Sequence, residues 1–243
     1  MPTVLILGAG SDMAIALARH FAKEKYQVQL AGRNLPALQA LQNDLQIRYG
    51  ADAKAYTFDA LDFDSHRSFY NQLEVKPDIT ISVFGYLGNH PLAQTNWQET
   101  SRIIHSNYTG AVSILNIVAE DYAKRRQGTI VGISSVAGER GRQSNYLYGS
   151  AKAGFTAYLS GLRNFLHPYN VHVLSVQPGF VYTKMTEDLK LPPLLTATPD
   201  QVAIAIIRAI KGRKNVLYVK WIWRYIMLII KMIPEFIFKK MKL

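Results

Sequence analysis

Hydrophobic residues along the chain follow two patterns that alternate from one end to the other. Short apolar runs rich in β-branched residues are typical of buried strands. Between them lie segments whose apolar residues recur every three to four positions, which predicts helices. This alternation predicts an α/β fold, a doubly wound parallel sheet with helices on both faces. Ligands bind such sheets beyond the carboxyl ends of the strands.

One domain accounts for most of the chain. No internal repeat, low-complexity tract or linker divides the sequence before residue 220, so residues 1–219 are predicted as a single domain and residues 220–243 as an extension. The predicted strands span residues 4–7, 26–31, 53–58, 78–85, 128–133, 170–176 and 215–219. The predicted helices span residues 13–25, a leucine-rich segment at 35–45, 97–125, 146–166 and 199–210, and residues 184–198 are predicted as a mobile lid.

Candidate chemistry follows the strand at 128–133. Ser134 and Ser135 come directly after it, and Tyr148 and Lys152 lie four residues apart in the next helical segment, hence on one face. A free tyrosine has a pKa of about 10, and a nearby ammonium favours its charged form. A serine hydroxyl can donate to an oxygen on which charge develops. The set indicates an acid/base site for a carbonyl or alcohol, although such a Tyr-Lys pair alone is more often a packed ring and a solvated lysine.

The first strand ends in a glycine-containing turn that leads into a helix. Unpaired amides and the helix dipole at such a turn favour an anion. The motif is imperfect, because Met13 stands where Gly-x-Gly-x-x-Gly has its third glycine. The carboxylate of Asp12 would be unfavourable beside a pyrophosphate, so we interpret Asp12 first as a helix cap. The turn supports a Rossmann-type dinucleotide site with candidate contacts at Gly8, Gly10, Ser11, Asp12 and Met13.

Arg33 follows the second strand and bears on the choice of cofactor. Folds that bind NAD place an acidic residue near this point, whereas an arginine accommodates the extra phosphate of NADP. No acidic residue occurs between Val28 and Asn43. A guanidinium fits a phosphate well, so NADPH is favoured over NAD, with a merely solvated arginine as the alternative.

The motifs at 134–138 and 148–152 resemble those of the classical-type short-chain dehydrogenase/reductase family, and the resemblance covers most of the chain. In that family the catalytic serine lies thirteen residues before the tyrosine, which selects Ser135 over Ser134. The resemblance implies catalytic roles for Asn107, Ser135, Tyr148 and Lys152, in which Lys152 lowers the tyrosine pKa and binds the cofactor ribose. Asn107 would support a water that relays protons to the lysine.

The same resemblance implies further cofactor contacts. Tyr148 and Lys152 would touch the cofactor as well as the substrate. The chain departs from the family pattern at residues 12 and 14, where the family has glycines. It departs again at residues 82–85, which are Ser-Val-Phe-Gly where the family has Asn-Asn-Ala-Gly. The remaining contacts implied are Asp59 at the adenine, Gly85 at a close backbone approach, and Pro178, Gly179, Val181 and Thr183 near the nicotinamide.

Positive charge is concentrated at the carboxyl end of the chain. Lys and Arg number 28 against 17 Asp and Glu, a net charge of +11, and residues 211–243 hold nine basic residues and one acidic residue. No nucleic-acid recognition motif accompanies this charge. Residues 220–233 form an amphipathic pattern of aromatic, aliphatic and basic residues, too short to span a bilayer. We expect either a membrane-surface contact through residues 220–243, or a helix packed in a homo-oligomer or across the substrate cleft.

A narrower resemblance concerns Val136–Arg140 (Val-Ala-Gly-Glu-Arg), Arg142 and the ending Ile-Pro-x-x-Ile-Phe-Lys-Lys. These segments are similar to the ketoreductases that act on decaprenylphosphoryl-ketoribose, a polyprenyl-phosphate-linked sugar. That similarity implies a lipid-linked keto-sugar substrate and places Arg140 or Arg142 near the lipid phosphate.

The sequence as a whole predicts an NADPH-dependent ketoreductase that transfers a hydride between nicotinamide and a carbonyl or alcohol. The alternatives are a soluble reductase of acyl, steroid or small keto substrates, and an NADP-binding scaffold without turnover. The chain has no cysteine, its histidines lack ligand spacing and its amino terminus lacks a signal peptide. We therefore expect no metal site, and a cytoplasmic location or the inner face of the membrane.

Overall fold

A seven-stranded parallel sheet forms the centre of the computed structural model, which describes residues 1–186 and 190–241. The strand order is β3-β2-β1-β4-β5-β6-β9, and every neighbouring pair is parallel. The order reverses between β1 and β4, the position where such sheets bind ligands. The strands are β1 Thr3–Leu7, β2 Gln27–Gly32, β3 Ala53–Thr57, β4 Ile79–Ser82, β5 Thr129–Ile133, β6 His172–Pro178 and β9 Val216–Val219, with a separate pair, β7 Phe180–Val181 and β8 Thr196–Ala197.

Helices cover both faces of this sheet, which confirms the predicted doubly wound α/β architecture. In β1, Val4 and Ile6 contribute to one buried cluster and Leu5 and Leu7 to the other, as the alternation of side chains along a strand requires. The helices are α1 Asp12–Lys23, α2 Leu35–Tyr49, α3 Ser65–Asn71, α4 His90–Ala93, α5 Trp97–Ile104, α6 Gly110–Arg125, α7 Tyr146–Leu166, α8 Pro199–Lys211, α9 Ile222–Met232 and α10 Glu235–Phe238.

The prediction of one continuous helix over residues 97–125 was wrong in one respect. A π-helical turn, His105–Thr109, separates α5 from α6. Asn107 lies in this turn and is 1% exposed. A Cβ at Gly110 would lie 2.2 Å from the carbonyl oxygen of Ala60, so only glycine allows this close approach. Such π turns often occur at functional sites, where they reorient a side chain.

The extension is folded against the domain. Strand β9 ends at Val219, and Lys220 has a φ of +57° at the turn into α9. Trp223 and Met227 of α9 are buried in a third apolar cluster together with Val136, which follows β5. The division of the chain into a domain, residues 1–219, and an extension, residues 220–243, stays a prediction. Residues 187–189 of the predicted lid and 242–243 of the extension lie outside the described residues.

Candidate active site

Ser135, Tyr148 and Lys152 meet at the carboxyl end of β5. Tyr148 and Lys152 lie one turn apart on α7, and the Lys152 Nζ is 5.8 Å from the centre of the Tyr148 ring. Lys152 is 4% exposed and its Nζ donates to the carbonyl oxygen of Ile133, the last residue of β5, at 3.0 Å. This hydrogen bond fixes the ammonium group between the strand and the helix.

Burial shifts the pKa values of both groups away from their ordinary values. Desolvation raises the pKa of Tyr148 to about 12, and a hydrogen bond with the Ser135 side chain opposes the rise. Desolvation also lowers the pKa of Lys152 to about 8. The sequence-based expectation was a lowered tyrosine pKa. The structure shows the opposite direction, because removal of the phenol from water outweighs its polar contacts.

The two serines after β5 have different environments. Ser134 is 2% exposed, and its hydroxyl donates to the carbonyl oxygen of Lys152 at 3.0 Å and lies 2.6 Å from Thr156 Oγ1. These contacts join β5 to α7. The Ser135 hydroxyl instead accepts from the backbone N–H of Ala137 at 3.1 Å and contacts Tyr148. Only Ser135 therefore presents its hydroxyl beside the tyrosine.

Asn107 reaches the same place from the π-helical turn. Its side chain accepts from the backbone N–H of Tyr86 at 3.2 Å and donates to the carbonyl oxygens of Tyr86 at 2.6 Å and Ile103 at 2.8 Å. A Cβ at Gly85 would lie 2.8 Å from Asn107 Oδ1 and 3.4 Å from Lys152 Nζ. Gly85 thus lets the amide oxygen and the ammonium group approach each other across its backbone.

The glycine turn after β1 has the shape that an anion site needs. Gly8 has a φ of +85°, and a Cβ there would lie 2.7 Å from Phe84, in the loop after β4. A Cβ on Gly10, by contrast, would have no atom of the surrounding chain within 4 Å. Ser11 caps α1 by accepting from the N–H of Ala14 at 3.4 Å. Gly10 and the amino terminus of α1 can therefore receive a phosphate.

Asp12 is not the helix cap that the sequence suggested. Because Ser11 occupies that position, Asp12 is the first residue of α1. Its carboxylate accepts from the backbone N–H of Lys184 at 2.8 Å. Asp12 therefore joins the glycine turn to the first part of the predicted lid. Met13 follows it, partly buried against the domain core.

Arg33 and Asp59 lie at the carboxyl ends of neighbouring strands, β2 and β3. Arg33 is exposed, and within residues 1–186 and 190–241 it has no carboxylate partner, so its guanidinium is available to a phosphate. The Asp59 carboxylate accepts from the N–H of Leu61 at 3.0 Å, and the Asp59 carbonyl oxygen lies 3.0 Å from His66 Nε2. The contacts of Arg33 and Asp59 with the adenosine end of an NADP molecule stay predictions.

The segment after β6 carries the other predicted cofactor contacts. Pro178 ends β6 and Val181 lies in β7, whose backbone pairs with β8. The Thr186 hydroxyl donates to the carbonyl oxygen of Val181 at 2.6 Å and lies 3.4 Å from the hydroxyl of Thr183. Gly179 has a role that the sequence did not reveal, because its α-carbon is covered by Trp223 of α9.

An open cleft of about 790 Å³ lies beside these groups, lined by residues 86–91 and Lys184. Glu99 shapes its wall, since this carboxylate accepts from the Tyr86 hydroxyl at 2.9 Å and from the Asn89 N–H at 2.8 Å. Sequence reasoning missed both the loop and Glu99. Loop residues without a recurring motif carry no signal of which strand end they will border.

Arg140 and Arg142 lie next to the extension. Arg140 donates to the carbonyl oxygens of Ile230, Lys231 and Ile233 and forms an ion pair with Glu235. Its guanidinium therefore caps the end of α9, where four carbonyls lack helical partners. Arg142 donates to the Met227 sulfur at 3.2 Å. The prediction of Arg140 or Arg142 near a lipid phosphate is wrong for Arg140, because α9 and Glu235 already occupy its donors. It stays a prediction for Arg142.

No group of three or more His, Cys, Asp and Glu side chains that could hold a metal occurs in the described part of the chain. None of the helices described there is long and apolar enough to cross a bilayer.

Comparisons with known proteins bear on the fold and the family of this chain. The family model described as short chain dehydrogenase matches residues 2–192. The sequence is 34% identical to an uncharacterized oxidoreductase of Mycobacterium tuberculosis strain H37Rv, covering 98% of this chain and 96% of that protein. It is 30% identical to the ketoacyl reductase HetN of a Nostoc species, covering 87% and 76%. A short-chain dehydrogenase from Sphingobium yanoikuyae, solved with NADPH, has a TM-score of 0.85 at 24% identity, covering 97% of each chain.

Proposed function

The chain belongs to the short-chain dehydrogenase family, and we propose that it is an NADPH-dependent reductase of a carbonyl substrate. One observation carries this proposal: Ser135, Tyr148, Lys152 and Asn107 reach one place at the carboxyl ends of β4 and β5 from three separate parts of the chain, which are the segment after β5, helix α7 and the π-helical turn. A packed tyrosine and a solvated lysine would not need this convergence. The scaffold alternative does not account for it either.

Tyr148 acts as the acid in this proposal. A phenol with a pKa of about 12 keeps its proton at neutral pH. The alkoxide that forms when a carbonyl is reduced is a much stronger base than a phenolate, so the proton moves from the Tyr148 hydroxyl to that oxygen. The Ser135 hydroxyl donates to the same oxygen and stabilises its developing charge. A protonated Tyr148 at neutral pH is the acid that reduction requires.

Lys152 and Asn107 replace the proton that Tyr148 gives up. The Lys152 ammonium group loses its proton more readily than a free lysine, because burial lowers its pKa to about 8. Asn107 Oδ1 lies across Gly85 from Lys152 Nζ, which suits a water that joins the two groups. We propose that protons reach Tyr148 by this route from solvent.

The cofactor binds along the carboxyl edge of the sheet in this proposal, where its chemistry is the donation of a hydride to the carbonyl carbon. Gly8, Gly10, Ser11 and Met13 would hold the pyrophosphate at the start of α1, and Arg33 would hold the 2′-phosphate. The similar dehydrogenase from Sphingobium yanoikuyae was solved with NADPH, which supports this choice. The remaining contacts proposed are Asp12, Asp59, Gly85, Tyr148, Lys152, Pro178, Gly179, Val181 and Thr183.

The substrate is the finer part of the proposal. We favour a carbonyl carried by a lipid, met at the inner face of the membrane, because the extension, which has exposed apolar residues, contacts Leu194 and Leu195 of the predicted lid. The first residue of that predicted lid, Lys184, lines the cleft. A lipid-linked keto-sugar is one such substrate. The second candidate is a soluble acyl, steroid or small ketone, as the name of the ketoacyl reductase relative suggests. We expect the enzyme to work in the cytoplasm and to form a homo-oligomer, which sedimentation can test.

Cofactor titration tests the proposal directly. We expect NADPH to bind the full chain more tightly than NADH, and Arg33→Ala to weaken NADPH binding by roughly tenfold or more while NADH binding stays unchanged. Arg48→Ala, on the surface of α2, is the matched control. NADPH consumption is then measured with acetoacetyl-coenzyme A, 2-decanone and cyclohexanone. Equal affinity for the two cofactors would refute the role of Arg33, and no turnover with any carbonyl would refute the reductase.

A further inference from the structure

The extension has one face that the domain covers and one that it leaves exposed. On the covered side, Trp223 is 4% and Met227 0% exposed. Arg140 caps the end of α9, and Lys231 forms an ion pair with Glu139. The extension is thus held in place by its inner face, and the arrangement of its outer face is fixed as well.

The outer face is apolar. At 100° per residue, four side chains of α9 and that of Trp221, the residue just before α9, fall within an arc of about 100° around the helix axis. Their exposure runs from 52% for Leu228 to 74% for Trp221, and Phe236 of α10 is 66% exposed. Single exposed apolar residues are ordinary, but a contiguous group marks an interaction site. We call Trp221, Tyr225, Leu228, Ile229, Met232 and Phe236 the outer face.

Positive charge borders the outer face. Arg224 and Lys231 lie together at one edge of the apolar arc by the same helical geometry, and Lys239 and Lys240 follow α10. Arg224, Lys239 and Lys240 have no carboxylate partner in the part of the chain that the structure describes. Glu235, the one acidic residue of the extension, already pairs with Arg140. Arg224, Lys239 and Lys240 are therefore available to an acidic partner, whereas Lys231 is already paired with Glu139.

We propose that the outer face docks on an anionic membrane surface. Aromatic and aliphatic side chains with a cationic border suit a helix that lies in the headgroup layer of a bilayer. In a two-fold dimer built on the same face, the cations bordering one copy would approach those bordering the other, which is unfavourable. Anionic headgroups remove that repulsion and supply the missing partners.

Docking would bring Leu194 and Leu195, which contact the extension, to the membrane. Lys220 Nζ donates to the carbonyl oxygen of Leu194 at 3.3 Å, and Trp223 Nε1 donates to that of Leu195 at 3.0 Å. Leu194 is 77% exposed beside the extension. A substrate with a hydrocarbon chain could then enter the cleft from the lipid. This statement about substrate entry rests on the proposed function, whereas the docking itself needs no turnover.

Co-sedimentation with vesicles tests the docking. The full chain is mixed with vesicles of phosphatidylcholine alone, or of phosphatidylcholine with phosphatidylglycerol, at low and high sodium chloride. We expect binding to the anionic vesicles that weakens at high salt. Ile229→Glu should reduce it by roughly tenfold or more, because a charge replaces an apolar side chain of the outer face. Ile47→Glu, a matched change at an 84% exposed position on α2, should leave it unchanged.

Three results would overturn the proposal. The first is that the full chain does not bind anionic vesicles. The second is that the wild type and Ile229→Glu bind them equally well. The third is that the wild type binds no vesicles but forms a dimer, and that Ile229→Glu dissociates this dimer. The last would make a second copy of the chain the occupant. NADPH binding and reduction of a water-soluble ketone by Ile229→Glu show that the variant is folded. They also separate a failure of docking from a failure of the proposed reductase.

Discussion

Gly179 and Trp223 contact each other so closely that a Cβ on Gly179 would lie 2.0 Å from the indole Nε1 and Cε2. Phe180 completes the contact with an edge-on ring, its centre 5.3 Å from that of Trp223. Gly179 and Val181 are among the residues proposed to border the nicotinamide. The extension therefore packs directly on the backbone of the proposed cofactor site, and a change in the extension can move that backbone.

Gly179→Ala should destabilise the protein by about 1–3 kcal/mol, because the added methyl group must displace a buried indole. The measurement is the free energy of unfolding in urea. Gly141→Ala is the control, since a Cβ at Gly141 meets nothing within 4 Å. The double variant Gly179→Ala, Trp223→Ala should lose less free energy of unfolding than the sum of the losses in the two single variants. Strict additivity would show that the contact is not as close as described.

Asp12→Asn should tighten NADPH binding. An asparagine oxygen can still accept from the Lys184 N–H, but the negative charge beside the proposed pyrophosphate site is removed. We expect a Kd for NADPH that is lower by roughly threefold to tenfold. Asp12→Ala removes the charge and the hydrogen bond together and separates the two effects. Weaker binding by Asp12→Asn, measured by titration, would contradict a pyrophosphate at this end of α1.

The alkaline limb of the pH profile should report Lys152. Its pKa of about 8 means that the ammonium group is present below that pH and is lost above it, so proton supply to Tyr148 fails as pH rises. Tyr148, with a pKa of about 12, stays protonated across the same range. We expect kcat/KM for NADPH, which reflects the free enzyme, to fall above about pH 8. Activity that rises between pH 8 and pH 10 would contradict this assignment.

Local patterns predicted most of the fold. Apolar runs located the strands to within a few residues, and helix α7 has the predicted bounds, 146–166. Strand β4 is the informative exception. It was predicted to continue to Gly85, but it ends at Ser82 because Phe84 must turn away to pass Gly8. That close approach joins two loops distant in sequence, and the periodicity of one segment contains no information about it.

The same limit applies to the site. The spacing along α7 placed Tyr148 and Lys152 on one face, since helix geometry is local. The hydrogen bond from Lys184 to Asp12 joins residues 172 positions apart in the sequence. The cap that Arg140 forms on α9 joins residues about 90 positions apart, and no sequence motif predicts either contact. Helical geometry places Trp221 and Trp223 on opposite sides of the extension but does not say which side the domain covers. Only the packing shows that one is 74% exposed and the other 4%.

The most direct test of the account is turnover by Tyr148→Phe. The variant keeps the ring but loses the proton that reduction requires. We predict that NADPH consumption with the best carbonyl of the panel falls by at least about a hundredfold, while the Kd for NADPH changes by less than about twofold. Tyr146→Phe, two residues earlier on α7 and 43% exposed, should match the wild type. Turnover by Tyr148→Phe at the wild-type rate would contradict the proposed acid and, with it, the mechanism.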